Sequence, residues 1–283
     1  GCWIGCCEPD WAEKGHVAGI PLQREFYNRY PSRNSRDFKR TVVIVSDGMR
    51  YEVGAELARR LEQETKGSVT LEACQSVFPS VTEFGMAALL PQSEISYSWD
   101  SGDVFADGMP TRTTKEREAV RALTAQDLRA GNRAARRELV GSAPLVYIYQ
   151  DKIDSTGEKP KLEHDVFAAC ESAVDELVAL CKIVVNDLGI NRVFVTADHG
   201  FLYTRRPLKE HDKIAKADIG SGDVQLHRRH VLSREAIDSN ILVKMNMEDI
   251  HGGEYYGLAL RECIRLKSVA GNKNYAHGGV SLQ

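Results

Sequence analysis

The sequence has no apolar run approaching the ~20 residues of a membrane span. No signal peptide is expected from its opening, where the first residues carry Trp, Glu, Asp and Lys without a long apolar stretch. It has no large excess of one charge. Its 37 Lys and Arg against 40 Asp and Glu give a formal net charge of −3. That balance excludes an overall basic nucleic-acid binder and leaves only local basic patches open. Zinc-finger spacing is missing too. Cys2, Cys6 and Cys7 crowd the start, but no Cys or His pair follows at finger distance. The other four of seven cysteines, Cys74, Cys170, Cys181 and Cys263, sit mostly among apolar neighbours. They read as small buried hydrophobes in a reducing cytoplasm, the location expected for this chain. There is no internal repeat and no low-complexity tract. What is there is a 283-residue chain, 42% hydrophobic and 27% charged. That is an ordinary globular composition, long enough for one large α/β domain or two small ones.

Residues 1–40 read as an N-terminal approach segment, with one or two short helices between Trp11 and Tyr30 and a polar break from Pro31 to Asp37. The β-branched run Thr41-Val42-Val43-Ile44-Val45 shows no alternation, which predicts a strand buried on both faces. Leu145 to Tyr149 and Arg192 to Thr196 are two more such runs. Helices are predicted through Val53, Leu57 and Leu61, from Glu83 to Leu90, and from His164 to Leu188. Val69 to Ala73 predicts a further strand, Gln92 to Thr114 a loop or small insertion, and Lys115 to Val140 a basic helix. Beyond Phe201 the pattern is less regular. Strands are expected within Leu226–Leu232 and Ile241–Lys244, and a helix within Tyr256–Arg265. Strands alternating with helices imply an α/β fold, a mostly parallel sheet with helices on both faces. The abrupt stop after Val280-Ser281-Leu282-Gln283 leads us to expect a fragment of a longer protein.

Each of the three buried-type strands runs into a carboxylate: Asp47, Asp154 and Asp198. Ligands in such folds bind beyond the carboxyl ends of the strands. Each Asp alone reads as a helix N-cap. Three converging there would repel one another in a low-dielectric cleft, and divalent cations would relieve the repulsion. Asp198-His199 offers a carboxylate and an imidazole side by side, a donor set suited to zinc or manganese. Thr82 follows Pro79 at a predicted helix start, where free N–H groups favour an anion such as phosphate. By itself Thr82, or Ser80, reads as a cap; beside a metal its hydroxyl reads as a nucleophile.

These segments resemble the alkaline phosphatase superfamily in order and spacing. They are Val45-Ser46-Asp47-Gly48-Met49-Arg50-Tyr51-Glu52, Phe78-Pro79-Ser80-Val81-Thr82 and Ala197-Asp198-His199-Gly200. In more detail the chain resembles the PglZ family, the phosphatase-like component of BREX and related phage-defence systems. The matching strings are Asp47 to Glu52, Gly85-Met86-Ala87-Ala88-Leu89-Leu90-Pro91, Ile153-Asp154-Ser155-Thr156-Gly157-Glu158, and His277-Gly278-Gly279-Val280-Ser281-Leu282-Gln283. The resemblance implies an alkaline phosphatase-like catalytic domain over residues 41–283 that holds two divalent metal ions, zinc or manganese. One ion would be bound by Asp47, Thr82, Asp198 and His199, and the other by Asp154, Glu158 and His277. Glu158 stands where many superfamily members have His, which enriches the second position in oxygen. His251-Gly252-Gly253 also fits the pattern of the distant histidine. His277 is preferred, because Ser281-Leu282-Gln283 follows it. The implied chemistry has Thr82 attack phosphorus to form a phospho-enzyme, which water then hydrolyses. A sulfatase is excluded, since Arg29-Tyr30-Pro31-Ser32-Arg33 lacks the required Cys or Ser at its first position.

The implied function is a metal-dependent phosphohydrolase in phage defence, a phosphatase or a phosphodiesterase with a nucleic acid or nucleotide substrate. Other BREX/Pgl components are the implied partners, with no membrane involved. Arg50 and Lys152 are candidate phosphate clamps. The arginines from Arg117 to Arg137, and His227-Arg228-Arg229-His230, are either a nucleic-acid track or solvated faces. The competing reading is a non-catalytic scaffold that keeps its metal for folding and assembles defence partners.

Overall fold

The computed structural model describes residues 2–31, 39–117, 119–206, 208–209, 213–215, 219, 222–261, 264–267 and 274–281. Its central sheet is parallel, in the order Arg121–Thr124, Leu145–Gln150, Thr41–Ser46, Arg192–Thr196. Every residue of Thr41–Ser46 and of Leu145–Gln150 is buried, which is why both segments are written without alternation. The pleat still sends neighbouring side chains to opposite faces. Val42, Ile44, Val146 and Ile148 pack with Leu57 of the Tyr51–Glu64 helix and with Cys170, Val174 and Leu177 of the Val166–Asn186 helix. Val43, Val45, Leu145, Tyr147 and Tyr149 pack with Phe26 and with Met86 and Leu89 of the Thr82–Leu89 helix. Helices therefore cover both faces. The register pairs Ser46 with Gln150 and Val45 with Thr196. The residues that follow these strands consequently emerge at one edge of the sheet.

A second sheet is antiparallel, in the order Val224–Leu226, His230–Ser233, Tyr256–Leu260, Leu242–Met245. Ile4 and Trp11 of the Cys2–Lys14 helix cover one face, over Leu232, Val243, Met245 and Ala259. Val231, Leu242, Leu258 and Leu260 pack on the other face with Ile214, Ile219 and Leu266. Tyr256–Leu260 is thus a strand where the pattern predicts a helix. A short apolar run buried on both sides carries no period that separates the two.

Other expectations change as well. The N-terminal helix lies at Cys2–Lys14, followed by a 3-10 turn at Gln23–Glu25 and a single helical turn at Phe26–Arg29. Residues 69–73 form no strand. They lie mostly exposed, across a cavity of about 930 Å³ from Val193 and Val195, and only Gln75 makes a bridge, to Leu22. The segment expected as a loop holds short strands at Ile95–Tyr97, Val104–Ala106 and Met109–Pro110. Asp107 and Gly108 join the last two with φ of 49° and 75°, the positive values of a two-residue hairpin turn.

The basic helix expected over residues 115–140 is broken into the Arg121–Thr124 strand and helices at Ala125–Arg129 and Arg133–Val140. Thr124 and Asp127 form a capping box, and the Asn132 side chain caps the second helix. The arginines of this region have internal partners. Arg117 is buried, bonded to the Thr111 carbonyl at 2.8 Å and lying over the Tyr149 ring. Arg121 donates to the Leu139 carbonyl and Arg129 to Glu176. Arg133, Arg136 and Arg137 reach Asn186 and Asp187, where they meet the negative end of the Val166–Asn186 helix dipole.

Candidate metal and phosphoryl site

Asp47 is the first residue after its strand, and its N–H continues the ladder to the Gln150 carbonyl at 2.8 Å. Gly48 then turns at φ +74° and donates its N–H to Asp198 Oδ1 at 3.1 Å. Thr82 is the first residue of the Thr82–Leu89 helix, whose N-cap is Val81. The Thr82 hydroxyl is therefore not spent as a cap. It stands 3.1 Å from His199 Nε2. Gly85, one turn along, lies so close to the Asp198 carbonyl that a Cβ would sit 2.2 Å from its oxygen. Asp154 is carried on the Lys152–Gly157 helix, with Glu158 as its C-cap. His277 follows the Tyr275–Ala276 strand, which pairs with Leu202–Tyr203 just beyond His199. His251 is exposed and lies beside Ser96 in the sheet of the short strands. The structure thus places His277, not His251, beside Asp154.

His199 is the hub. Its Nε2 lies 3.4 Å from Asp47 Oδ1 and 3.5 Å from Asp198 Oδ2. Its ring stacks on that of His277 at 4.2 Å, and its Nδ1 faces the Gly200 carbonyl. The donor atoms of Asp47, Asp198 and His199 lie within 4.8 Å of one another, and so do those of Asp154, His199 and His277. Glu158 is outside both groups. It touches His277 Nε2 at 3.2 Å but is held by Arg228. Burial, and then the charge of the other carboxylate, holds Asp47 well above the usual carboxylate range. Burial, reinforced by the charge of Asp154, raises Asp198 to about 7. Asp47 Oδ1 and Asp198 Oδ2 are buried with no hydrogen-bond partner among the described residues. Burial, and then the charge of His277, lowers His199. Buried carboxylate oxygens without donors, converging on an imidazole and a hydroxyl, fit a divalent cation. A second cavity of about 340 Å³ opens beside this cluster, lined by Tyr51, Ser80, Gly200, Phe201, His277 and Gly278.

A family model described as the BREX system PglZ alkaline phosphatase-like domain matches residues 28–283. The chain belongs to the PglZ family. It is 32% identical over 277 residues to the alkaline phosphatase-like protein BrxZ of Escherichia coli O9:H4 (strain HS), covering 94% of this chain and 32% of that protein. It is 31% identical over 292 residues to the alkaline phosphatase-like protein PglZ of Bacillus cereus (strain H3081.97), covering 99% of this chain and 34% of that protein. The chain spans about a third of the length of these relatives. In fold it is similar to murine ectonucleotide pyrophosphatase/phosphodiesterase 5 in an inactive form in complex with AMP. The TM-score is 0.51 at 12% identity, over 86% of this chain and 84% of that one. The human counterpart matches equally well.

Several residues that support the PglZ-family site carry no local signal in the sequence. Tyr275 is fully buried and donates its hydroxyl to Asp154 Oδ1 at 2.7 Å. Its ring fills the space where a Cβ on Gly157 would sit, 2.3 Å away. Arg228 forks onto both oxygens of Glu158 at 3.0 and 3.1 Å. Burial disfavours ionised Glu158, but the hydrogen bond and charge of His277, with those of Arg228, bring it down to about 2. Gln23 donates to the carbonyls of Ala197 and Asp198 at 2.8 and 2.6 Å and accepts from the Val77 N–H. These partners are 54 to 175 residues from Gln23 in sequence, which puts them beyond any motif.

The other sequence candidates are engaged elsewhere. Arg50 pairs with Glu52 and lies over the Phe201 ring. Lys152 turns to Ser172 and Glu176. His227 stacks on His230, and Arg229 donates to the Ile264 carbonyl. Cys6 and Cys7 lie on the first helix, while the side chain of Cys2 is outside the described residues, as are Ser32, Arg33, Cys263, Leu282 and Gln283. Among the described residues, no helix is long and apolar enough to cross a membrane.

Proposed function

We propose that this chain is a metal-dependent phosphoester hydrolase with Thr82 as its nucleophile. The observation that carries the reading is the Thr82 hydroxyl, 3.1 Å from His199 Nε2 and uncommitted to capping, beside two donorless buried carboxylate oxygens. A cation held by Asp47, Thr82, Asp198 and His199 would supply the positive charge that lowers the hydroxyl's pKa and offsets charge on the phosphoryl oxygens. His277 and Asp154 would complete the second face of the site. The free N–H groups at the start of the Thr82–Leu89 helix would favour a phosphoryl anion there. Thr82 and His199, 3.1 Å apart, would meet on the same cation, while Gly85 lets that helix seat directly on the Asp198 turn. Membership of the PglZ family supports a role in a BREX-type defence system, and other components of that system are the partners we propose. A phosphodiester or nucleotide substrate is the form we favour, supported by the fold shared with a phosphodiesterase solved with AMP.

The test uses protein stripped of metal and reloaded with Zn²⁺ or Mn²⁺, assayed on bis-p-nitrophenyl phosphate and p-nitrophenyl phosphate. Turnover should require metal and fall by at least about a thousandfold in Thr82→Ala, with melting temperature and metal uptake retained. The preferred substrate separates diester from monoester chemistry. Bound metal without turnover of these or of a nucleotide panel, and with Thr82→Ala indistinguishable, would establish the scaffold reading instead.

A further inference from the structure

The site has two poles, and they differ in how their charge is met. At one pole, Asp47 Oδ1 and Asp198 Oδ2 are buried with no hydrogen-bond donor among the described residues. His199 Nε2 lies 3.4 and 3.5 Å from them. At the other pole, Asp154 and Glu158 lie one helical turn apart, and the Glu158 N–H closes on the Asp154 carbonyl at 2.8 Å. Here the carboxylates already have donors. Tyr275 gives its hydroxyl to Asp154 Oδ1 at 2.7 Å. Arg228 gives two guanidinium N–H groups to the two oxygens of Glu158.

Arg228 sits in the connection between Val224–Leu226 and His230–Ser233, closed by the His227 N–H on the His230 carbonyl at 3.0 Å. Its fork is only partly exposed, at 21% for Arg228 against 33% for Glu158. A bidentate guanidinium–carboxylate pair is among the stronger charge-assisted contacts, and guanidinium does not lose its proton in a protein. An ion that needs both Glu158 oxygens must therefore pull the carboxylate off the fork.

We infer that the two metal positions are unequal, with the Asp47–Thr82–Asp198–His199 position binding a divalent ion readily and the second position, at Asp154 and His277, binding one more weakly because it recruits Glu158 as a ligand only in competition with Arg228. The inference rests on the reading that this is a metal site. Arg228 is then a positioning residue that sets the occupancy of the second position, and its guanidinium stands in for part of that ion's charge when the position is empty.

Stepwise Zn²⁺ binding to the stripped chain, followed by native mass spectrometry and titration calorimetry, tests it. In the unaltered chain the second ion should bind at least tenfold more weakly than the first. Arg228→Met should tighten the second step at least tenfold and leave the first unchanged, with Arg228→Lys falling between. Asp47→Asn should remove the tight step and keep the weak one, which assigns the steps to their poles. Two ions of equal affinity in the unaltered chain would overturn the inference, as would an unchanged second step in a folded Arg228→Met. Should that variant fail to fold, the stepwise constants of the unaltered chain and of Asp47→Asn decide alone. If no ion binds at all, the metal-dependent function itself falls; two equal ions remove only the inequality.

Discussion

Gly85 is occupied by its neighbour. A methyl group there would meet the Asp198 carbonyl oxygen at 2.2 Å, its carbon at 2.7 Å and the Asp198 Cβ at 2.9 Å. Two of these are backbone atoms, so the conflict cannot be relieved by turning a side chain. Gly85→Ala should cost about 1–3 kcal/mol in urea unfolding and weaken the first step of metal binding, because the helix must lift Thr82 away from His199. An unchanged midpoint and unchanged affinity would show that the helix seats elsewhere. At this scale the sequence was informative where a residue belongs to a short string. Asp47, Thr82, Asp198, His199 and His277 stand in such strings, and the structure brings them within reach of one another. Glu158 was placed by its spacing from Asp154, but the guanidinium that holds it was not, since Arg228 is 70 residues away. Tyr275, two positions before His277, was missed for the same reason: its hydroxyl acts across 121 residues.

Among elements, the Thr41–Ser46 and Leu145–Gln150 strands were legible because both of their faces are covered, whereas Arg192–Thr196, expected to be equally buried, lies at the end of the sheet order and is only partly covered. The long Val166–Asn186 helix was legible from its period. The stretch from 115 to 140 was misread because its arginines look like one solvated face. The Thr124/Asp127 box and the Asn132 cap mark where it breaks, and both are visible in the sequence once capping is given precedence over charge. The His230–Ser233 strand carries a different commitment. Burial, followed by the charge of stacked His227, holds His230 well below its ordinary pKa, and Arg229 and His277 add to the effect. The folded chain thus keeps His230 neutral, while the unfolded chain protonates it near pH 6.5. Below that pH the unfolded state binds the extra proton, so stability falls as pH drops, by up to about 1.4 kcal/mol per unit for this one group. Urea midpoints measured from pH 7.5 to 5 should fall more steeply in the unaltered chain than in His230→Gln. Parallel slopes would mean that His230 titrates equally in both states.

At the scale of the whole molecule, the first thirty residues are built into the domain that they were expected merely to approach. The Cys2–Lys14 helix covers the antiparallel sheet through Ile4 and Trp11, and the Asn246 N–H bonds the Trp11 carbonyl at 2.9 Å. Gln23 is 2% exposed and ties the Asp198 turn to the chain leading into Thr82. Gln23→Ala should leave the buried Asp198 carbonyl and the half-buried Ala197 carbonyl without their donor and cost about 1–3 kcal/mol. A chain begun at residue 28 should lose more, since it also exposes the apolar face under Trp11. Equal melting and equal metal uptake in that shortened chain would refute the brace. The family match begins at residue 28, five positions after the glutamine on which the Asp198 turn leans. The family model and mechanical support therefore draw different borders around the same domain, whereas the Bacillus cereus relative matches 99% of the chain and so takes in the glutamine. A boundary set at the family model's first residue would cut through a strut.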